Sequence, residues 1–568
     1  MTVDYANRAI VEIDGVQLDA ELEGYLEQVV VDDQLTLPQM FTITLLDPAR
    51  DILDRTGLRV GAAVQVSAIA QVEHPETPLV KGDVVSIDCD YSPAGAEVIV
   101  RGYGSSHRLH RGRRTRTFLN VTDTEIVKRV AQEAGIELGD VEPTSEVYDH
   151  VAQPNISDWE FISGRAARIG YEVWLTEDKL CFGKPRSAAE APEAADESAD
   201  SESSDPRQLV FARNLREFRG RLSAAEQVGE VEVRAWDTTR KEPITASAPA
   251  ATVSAELELS DPDTMAGFFG DPAFVAVRRP MRTAALADAV AKALAERIGS
   301  AFAEAEGVAR GHPELRAGTA VNISGVGEDF SGKYVLSHVR HVLDREGYQT
   351  HFTISGRQNR SLLGMVASNS AAAHNASADV AAPPVFGGLV RGIVDDNADP
   401  ENLGRVKVRM PWLNADFTSA WAPVMQLGAG PESGTMFIPA VNDEVLVGFE
   451  HGDVDWPIVV GGLFNGSDKP PAYSHYLDNG QVHRRSIVSR LGHQIALSDD
   501  SGNESGIAIV TKDATVSIGL NARDKKLSLV CQGEIEIKAD GEMKISGPKI
   551  TMQAEGELIL KGSQIKLN

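Results

Sequence analysis

The chain has 568 residues, with 83 acidic against 55 basic side chains, a formal charge of −28, 42% hydrophobic residues and three cysteines. This length predicts about four domains, and the composition excludes a disordered protein, a collagen and a small disulfide scaffold. The acidic balance excludes a surface that is basic enough to coat nucleic acid or an anionic membrane. Cys89, Cys181 and Cys531 lie far apart, which predicts unpaired thiols in a reducing compartment.

The amino terminus predicts no export signal. Residues 1–10 include Asp4 and lack an apolar core, and nowhere do about 18 apolar residues follow one another. We therefore expect no signal peptide and no membrane span. If the protein leaves the cell, it does so by a route other than an N-terminal secretion signal.

Residues 1–366 are predicted to form an α+β domain with mostly antiparallel strands. A hydroxyl that caps a first helical turn, with a glutamate three residues later, marks a helix start. Such signals predict helices after Thr122 with Glu125 and after Ser157 with Glu160, and apolar spacing predicts a third helix at Thr283–Ile298.

Two composition shifts interrupt the chain. Residues 187–206 carry seven acids and no base among Ala, Ser and Pro, which predicts a disordered acidic loop. Residues 367–384 are rich in Ala, Ser and Asn and end in two prolines, which predicts a linker into a new domain.

Residues 385–465 show strand periodicity and no helical period. Arg405–Met410 alternates basic and apolar side chains, so Val406, Val408 and Met410 are expected to face a core. About five short strands in this stretch predict a small closed barrel of the OB type. Residues 466–506 are predicted to be a connecting segment.

Residues 507–568 repeat a short motif of two apolar residues, separated by one residue and followed by a polar turn. Each unit predicts a short strand and a corner, and such a unit cannot bury its inner face alone. A single-chain β-helix would have a very thin core, so we expect copies of the chain to wrap around one axis. The predicted core positions are Val516, Ile518, Leu527, Leu529, Ile535, Ile537, Met543, Ile545, Ile550, Met552, Leu558, Leu560, Ile565 and Leu567.

Two sets of motifs carry a family resemblance. In the first domain, Gln153–Phe161 followed by Gly170 and Tyr171 has the pattern Q-x-N-x-S/T-D-W-E-F…G-Y of the phage hub domain. The barrel segment resembles the spike OB domain in Gly392–Val394, Asp399–Pro400, Leu403–Val408, Trp421–Ala422, Gly434, Phe437–Pro439, Asp443–Phe449 and Pro457–Gly461. The chain thus resembles the VgrG family, spike proteins of contractile injection systems that are similar to phage tail hubs and spikes.

The resemblance implies a mainly β protein with an α+β hub. Its hub would contain two barrel-like subdomains, followed by the OB-fold barrel and a C-terminal trimeric triangular β-prism, or β-helix, over residues 507–568. The implied function is structural: the central hub-spike of a baseplate caps the inner tube and pierces the target envelope when the sheath contracts. Type VI secretion systems, phage tails and other phage tail-like particles remain open as the setting.

The resemblance also implies partners. They are two further copies in a homotrimer, a hexameric inner tube protein, baseplate proteins and possible effector cargo, with a target membrane met only during puncture. A PAAR-type tip protein (named for a proline-alanine-alanine-arginine repeat) would bind the end of the prism, at Gln564, Ile565, Lys566, Leu567 and Asn568. The positions at which some relatives carry an enzyme, before and after the prism, are expected to hold none.

No catalytic or nucleotide motif occurs, so we expect no enzyme, cofactor or metal. The basic segment Arg101–Arg116 is interpreted as ion pairing or subunit contact ahead of nucleic-acid contact, and no nucleic-acid partner is expected. Two alternatives stay open. One is an OB-fold protein that binds single-stranded nucleic acid through Arg405 and Trp412; the other is an envelope-degrading enzyme with its active site in the hub.

Several weaker candidates for metal sites are interpreted as structural. Asp395, Asn397 and Asp399 have calcium-loop spacing, but Pro400 replaces the turn glycine. Each of two histidine pairs lacks a third ligand nearby in sequence. These pairs are His107 with His110 and His338 with His341.

Overall fold

The computed structural model of the chain describes residues 8–69, 76–93, 95–176, 178–195, 205–270, 272–277, 280–357, 386–471, 476–478, 480–499 and 505–566. The predicted linker at 367–384 lies outside these residues. The chain divides into two compact units, residues 1–463 and residues 464–568.

The first barrel-like subdomain surrounds a core of aliphatic side chains with one phenylalanine and one tyrosine. Strand periodicity places Phe41, Ile43 and Leu45 inward, and all three are fully buried. Its elements are β1 (Arg8–Ile13), β2 (Val16–Gln17), α1 (Ala20–Glu23), β3 (Leu26–Gln34), β4 (Met40–Leu46), α2 (Ile52–Thr56), β5 (Ala63–Ile69), β6 (Thr77–Ser92) and β7 (Gly95–Gly104).

A helical insertion follows, in which both predicted capping boxes are confirmed. Thr122 and Glu125 bond reciprocally at the start of one helix, and Ser157 and Glu160 do the same at the next. The helices pack on two small sheets. Its elements are α3 (His107–His110), β8 (Arg114–Val121), α4 (Asp123–Ala134), β9 (Leu138–Val141), β10 (Tyr148–Ile156), α5 (Asp158–Arg168), β11 (Glu172–Thr176) and β12 (Lys179–Gly183).

The second barrel-like subdomain has its own core, which includes Phe302, Val321 and Tyr334. The predicted third helix is confirmed as α7, capped by Thr283. The elements are β13 (Gln208–Val210), β14 (Leu215–Leu222), β15 (Glu230–Asp237), β16 (Glu242–Pro249), β17 (Ala255–Leu257), α6 (Pro262–Gly267), β18 (Ala273–Ala276), α7 (Ala284–Gly299), β19 (Ala303–Arg310), β20 (Ala320–Ser324), β21 (Gly332–Val335), β22 (His338–Asp344) and β23 (Gly347–Ile354).

One sheet joins the two subdomains. Its eleven strands have the order β14-β19-β23-β22-β3-β4-β7-β6-β5-β1-β2. The connection is the antiparallel pairing of β22 with β3, which sets His338 opposite Gln34 and Asp344 opposite Gln28. The two cores are therefore tied by backbone hydrogen bonds between segments that are about 300 residues apart in sequence.

The acidic loop predicted to be disordered at 187–206 is partly ordered. Ala188–Glu190 forms a short 3₁₀ helix, and Ala188 and Ala191 are buried against Ala320 and Val335. The prediction is wrong for these residues because small alanine side chains fit closely against the sheet, which composition alone does not reveal. Residues 196–204 lie outside the described part of the chain.

The OB barrel has the predicted core. Val406, Val408 and Met410 are fully buried together with Val445 and Val447. Its strands are β24 (Val390–Asp396), β25 (Lys407–Arg409), β26 (Ala429–Gly430), β27 (Ser433–Gly434), β28 (Glu444–Phe449) and β29 (Pro457–Gly462). One antiparallel sheet contains β24, β25, β28 and β29. The two short strands β26 and β27 form a tight hairpin.

The second unit is built on a five-stranded antiparallel meander that begins at Arg484, whereas the sequence placed residues 466–506 in a connecting segment. Its strands are β30 (Leu477–Asp478), β31 (Gln481–Val482), β32 (Arg484–Val488), β33 (Gln494–Ser498), β34 (Gly506–Val510), β35 (Val516–Asn521) and β36 (Lys526–Cys531), of which the last five form the meander. Residues 533–566, expected to be strands, form no strand pairing with any other described residue.

Candidate functional site

One face of the meander is apolar and uncovered. Across its five strands, direct cross-strand partners form a row of Ile487, Ile495, Ile509, Ile518 and Leu529. These five side chains are 41% to 54% exposed. A second row beside it contains Leu497, Ile507, Leu520 and Leu527. We name the nine residues of the two rows the apolar face.

The opposite face of the meander carries mostly small and polar side chains, together with Val488, Val510 and Val530. Its central row joins Ser486, Ala496, Ala508, Gly519 and Ser528 in register. Ala496 is buried, and the Ser486 hydroxyl is hydrogen-bonded to the Tyr476 hydroxyl. The sheet thus exposes its large aliphatic side chains, whereas a folded monomer would bury them. A continuous exposed apolar patch of this kind marks an interaction surface.

The structure brings only some of the predicted prism positions together. Ile518, Leu527 and Leu529 belong to the apolar face, and Val516 lies beside them. The other positions have no partner strand among the described residues and are 50% to 68% exposed: Ile535, Ile537, Met543, Ile545, Ile550, Met552, Leu558, Leu560 and Ile565. Leu567 lies outside the described residues.

Sequence reasoning missed the residues of the apolar face that precede position 516. The same period-two pairing occurs in Ile495 with Leu497 and in Ile507 with Ile509. These two pairs would have revealed β33 and β34. At the predicted tip-binding end, Gln564, Ile565 and Lys566 are exposed, whereas Leu567 and Asn568 fall outside the described part.

Polar side chains join the hub to the OB barrel within the first unit. His150 of β10 lies with Nδ1 3.1 Å from an Asp455 carboxylate oxygen and Nε2 3.1 Å from the Thr418 carbonyl oxygen. The same carboxylate accepts the backbone N–H of Ala152 at 2.8 Å. His150 therefore bridges two loops of the barrel.

A buried ion pair lies in the hub helices close to this bridge. Arg165 donates to Asp123 at 2.6 Å, and its guanidinium lies 4.2 Å from the centroid of the Tyr148 ring. Burial, with the Asp123 charge adding to it, raises the pKa of Tyr148 to about 12. Burial and the neighbouring Asp455 carboxylate raise the pKa of Asp453. This junction is charged and largely buried, so the loss of one partner would leave a buried charge without its counterpart.

The candidates for other sites are engaged in internal contacts. In the basic segment, Arg101 pairs with Asp88, Arg108 with Asp83, and Arg114 and Arg116 with Glu133 and Asp158, as the ion-pairing interpretation predicts. The Asp399 carboxylate accepts two hydrogen bonds from the Arg405 guanidinium and three from backbone N–H groups. The bonds from Arg405 are the main reason that the pKa of Asp399 is lowered. This loop is a turn, and Arg405 is committed to it.

The histidine pairs are also structural. His107 contacts the Gly104 carbonyl oxygen at 3.0 Å, and His110 stacks on Trp159, where burial lowers its pKa to about 4. His341 is buried, which lowers its pKa to about 3, and it contacts the Tyr348 hydroxyl. Among the described residues, no three His, Cys, Asp or Glu side chains are arranged to hold a metal ion.

Both OB residues named for nucleic-acid binding have partners within the chain, although Trp412 is 51% exposed. Trp412 packs against Phe386 and donates its indole N–H to the Arg391 carbonyl oxygen at 2.7 Å. Lys407 lies over the Trp421 ring, and Arg409 pairs with Asp395. Separately, in the part of the chain that the structure describes, no helix has the length and hydropathy needed to span a membrane.

The hub, the OB barrel and the exposed apolar sheet together define a phage-tail-like spike protein. Residues 54–345 match the family model described as the Alg8 N-terminal domain, and residues 390–464 match the type VI secretion system/phage-baseplate injector OB domain. Since the first match covers more than half of the chain, the chain belongs to the family of the Alg8 N-terminal domain. It is similar to the VgrG spike proteins.

Curated relatives share part of the chain. It is similar to the type VI secretion system spike protein VgrG3 of Vibrio cholerae, with 30% identity over 141 residues that cover 23% of this chain and 14% of VgrG3. It is also similar to the actin cross-linking toxin VgrG1 of Vibrio cholerae, with 25% identity over 194 residues that cover 33% of this chain and 17% of the toxin. The chain thus spans less than a fifth of the length of either relative.

A solved structure shows the fold. The chain resembles one from the half-lidded Francisella PdpA–VgrG complex with a TM-score of 0.50 and 10% identity, over 92% of this chain and 87% of that one. The predicted fold class, with an α+β hub, an OB barrel and a mainly β remainder, is confirmed. Because one relative is named a toxin, the absence of enzyme activity stays a prediction.

Proposed function

We propose that this chain is the central hub-spike of a contractile injection system baseplate, and that it works as a homotrimer. The observation that carries the proposal is the apolar face, a row of five aliphatic residues that a single chain leaves exposed. Three copies that turn this face toward one axis would bury it and leave the small and polar face outward.

Residues 533–566, which form no strand among the described residues, support the same arrangement. Strands that are hydrogen-bonded only to neighbouring copies have no partner in an isolated chain, and their apolar side chains remain exposed. In this proposal the predicted prism core forms when three chains meet. A closed prism has few free edges and is stiff, as a puncturing device requires.

The partners follow from the same proposal. The hub would cap a hexameric inner tube and contact baseplate proteins, and the prism end at Gln564–Lys566 would hold a PAAR-type tip protein. One solved relative is a VgrG in complex with PdpA, which supports an effector or accessory protein as a further partner. Assembly in the cytoplasm, in a phage tail-like or type VI secretion-like particle, completes the proposal. The nucleic-acid alternative is disfavoured because Arg405 and Trp412 are engaged within the barrel.

Deletion of the gene in the producing cell tests the proposal. Negative-stain images should show no complete sheathed particles in the deletion strain, and the wild-type gene should restore them. The variant Ile537→Asp should fail to restore them, because it would place three carboxylates near one level of the trimer axis. Complete particles in the deletion strain would contradict the proposal.

A further inference from the structure

His150 of the hub lies with each of its ring nitrogens against an oxygen atom of the OB barrel. Its Nδ1 is 3.1 Å from Asp455 Oδ1, and its Nε2 is 3.1 Å from the Thr418 carbonyl oxygen. The ring also meets the buried Phe417 edge-on, with the ring centroids 6.5 Å apart. Because the histidine side chain is only 9% exposed, water has little access to the ring nitrogens. These contacts hold the ring in one orientation.

Both oxygen atoms accept hydrogen bonds and donate none. A backbone carbonyl has no proton to give, and the Asp455 oxygen that faces Nδ1 also accepts the backbone N–H of Ala152 at 2.8 Å. A neutral imidazole has one N–H group and one lone pair, whereas an imidazolium has two N–H groups. A neutral ring at His150 would turn its lone pair toward one of the two oxygens. Only the imidazolium satisfies both contacts.

The charges at the junction leave a place for one further positive charge. The charged and titratable side chains there are Asp453 and Asp455 of the barrel, Arg165 and Arg168 of α5, Asp123 of α4 and Tyr148 of β10. Two nearby carboxylates are exposed, Asp149, which pairs with Arg282, and Asp416. On the opposite side, β8 places the uncharged Leu119 beside His150. The described junction thus holds three carboxylates and two guanidiniums apart from the exposed groups, and an imidazolium balances them.

The same strand is built into the barrel. Ala152, two residues after His150, is buried among the core residues of the barrel, which include Val394 and Val408. The Asn414 side chain of the barrel donates to the Thr115 carbonyl oxygen of the hub at 3.1 Å. A change in the contacts of His150 therefore acts where the hub enters the barrel.

We propose that His150 is a pH-dependent clamp between the hub and the OB barrel. Uptake of the second ring proton closes the clamp, because both ring nitrogens then donate to the barrel. Loss of that proton breaks one of the two contacts and loosens the junction. The closed junction binds one more proton than the open one, so acid favours the closed state. The clamp does not rest on the proposed trimer, because every contact comes from one chain.

Two other groups respond to pH and must be distinguished from His150. Burial and the Asp455 carboxylate raise the pKa of Asp453, so proton uptake by Asp453 would also favour the closed junction in acid. Burial lowers the pKa of His341 to about 3, which weakens the hub as the pH falls and so has the opposite sign. A gain of protection at the junction in acid therefore comes from His150 or Asp453, and substitution of each residue separates the two.

Hydrogen exchange of the Ala152 amide in the full-length protein tests the proposal, because this amide donates to the same carboxylate as His150. Exchange is measured by mass spectrometry at pH 7.5 and pH 5.5, which span the ordinary histidine value of about 6.5, and each rate is divided by the intrinsic rate at that pH. We expect protection about tenfold higher at pH 5.5, since a hydrogen bond to a charged group is stronger than a neutral one. The amides of β23 in the hub serve as a reference and should show no such gain.

Three variants assign the gain. His150→Gln keeps a polar side chain but cannot titrate, so the gain should be lost. It should persist in Asp453→Asn and in His451→Gln, which removes an exposed histidine from the same turn of the barrel. The wild-type comparison needs no variant, so an absent gain there overturns the proposal even if His150→Gln does not fold. A gain that persists in His150→Gln, or one that disappears in Asp453→Asn, would also overturn it.

Discussion

Truncation of Ile518 tests the role of the apolar face. This side chain lies in the middle of the long row, between Ile509 and Leu529, and is 41% exposed in the single chain. Fully burying an isoleucine contributes about 1.5–3 kcal/mol. Covering the exposed 41% therefore contributes about 0.6–1.2 kcal/mol per chain, or about 2–4 kcal/mol in a trimer, as an upper bound.

Ile518→Ala should raise the trimer dissociation constant about 30- to 700-fold if most of this free energy is lost, since 1.4 kcal/mol corresponds to about tenfold. Sedimentation velocity over a dilution series measures the change. Val530→Ala is the matched control, because Val530 is 50% exposed on the neighbouring strand but faces the opposite side. Equal effects of the two substitutions, or none from Ile518→Ala, would refute the inward assignment.

Three further predictions concern the prism, the hub core and the junction. Ile537→Asp should abolish trimers in size-exclusion chromatography, whereas Glu197→Gln in the acidic loop should leave them intact; equal effects would contradict the prism assignment. Because burial holds the pKa of His341 near 3, below the ordinary 6.5, the unfolded chain binds the extra proton and hub stability falls as pH drops below about 6.5, by about 2 kcal/mol at pH 5. Urea denaturation should show this slope in the wild type and a smaller one in His341→Gln, and identical slopes would contradict it. His150→Ala should lower the free energy of unfolding of the first unit by about 1–3 kcal/mol, because Asp455 loses its side-chain partner. His451 is exposed, so His451→Ala is the control. Equal losses of stability in the two variants would argue against the His150 bridge.

Local signals in the sequence predicted local structure well. The capping hydroxyls of Thr122 and Ser157 act within one helical turn, so each is visible in a short stretch of sequence. The alternation at Val406, Val408 and Met410 likewise depends only on strand geometry and a buried face. The motif resemblance then supplied the order of domains.

Contacts between distant segments could not be predicted in this way. The pairing of β22 with β3 and the bond of His150 to Asp455 join residues about 300 positions apart, and nothing local encodes them. The sequence analysis placed the start of the meander too late, after residue 506 and not at Arg484. The reason is that the segment after Ser498 is acidic and polar, a composition typical of a loop between domains. The strands expected at 533–566 do not form among the described residues, and in our proposal they depend on neighbouring copies of the chain.

The mass of the full-length protein in solution tests the central claim most directly. At micromolar concentration, sedimentation equilibrium should give a particle of three chains, each of 61.0 kDa, with the apolar face protected from hydrogen exchange. A 61.0 kDa monomer whose residues 484–566 are nevertheless protected would contradict the account, because it would show that one chain orders this segment alone.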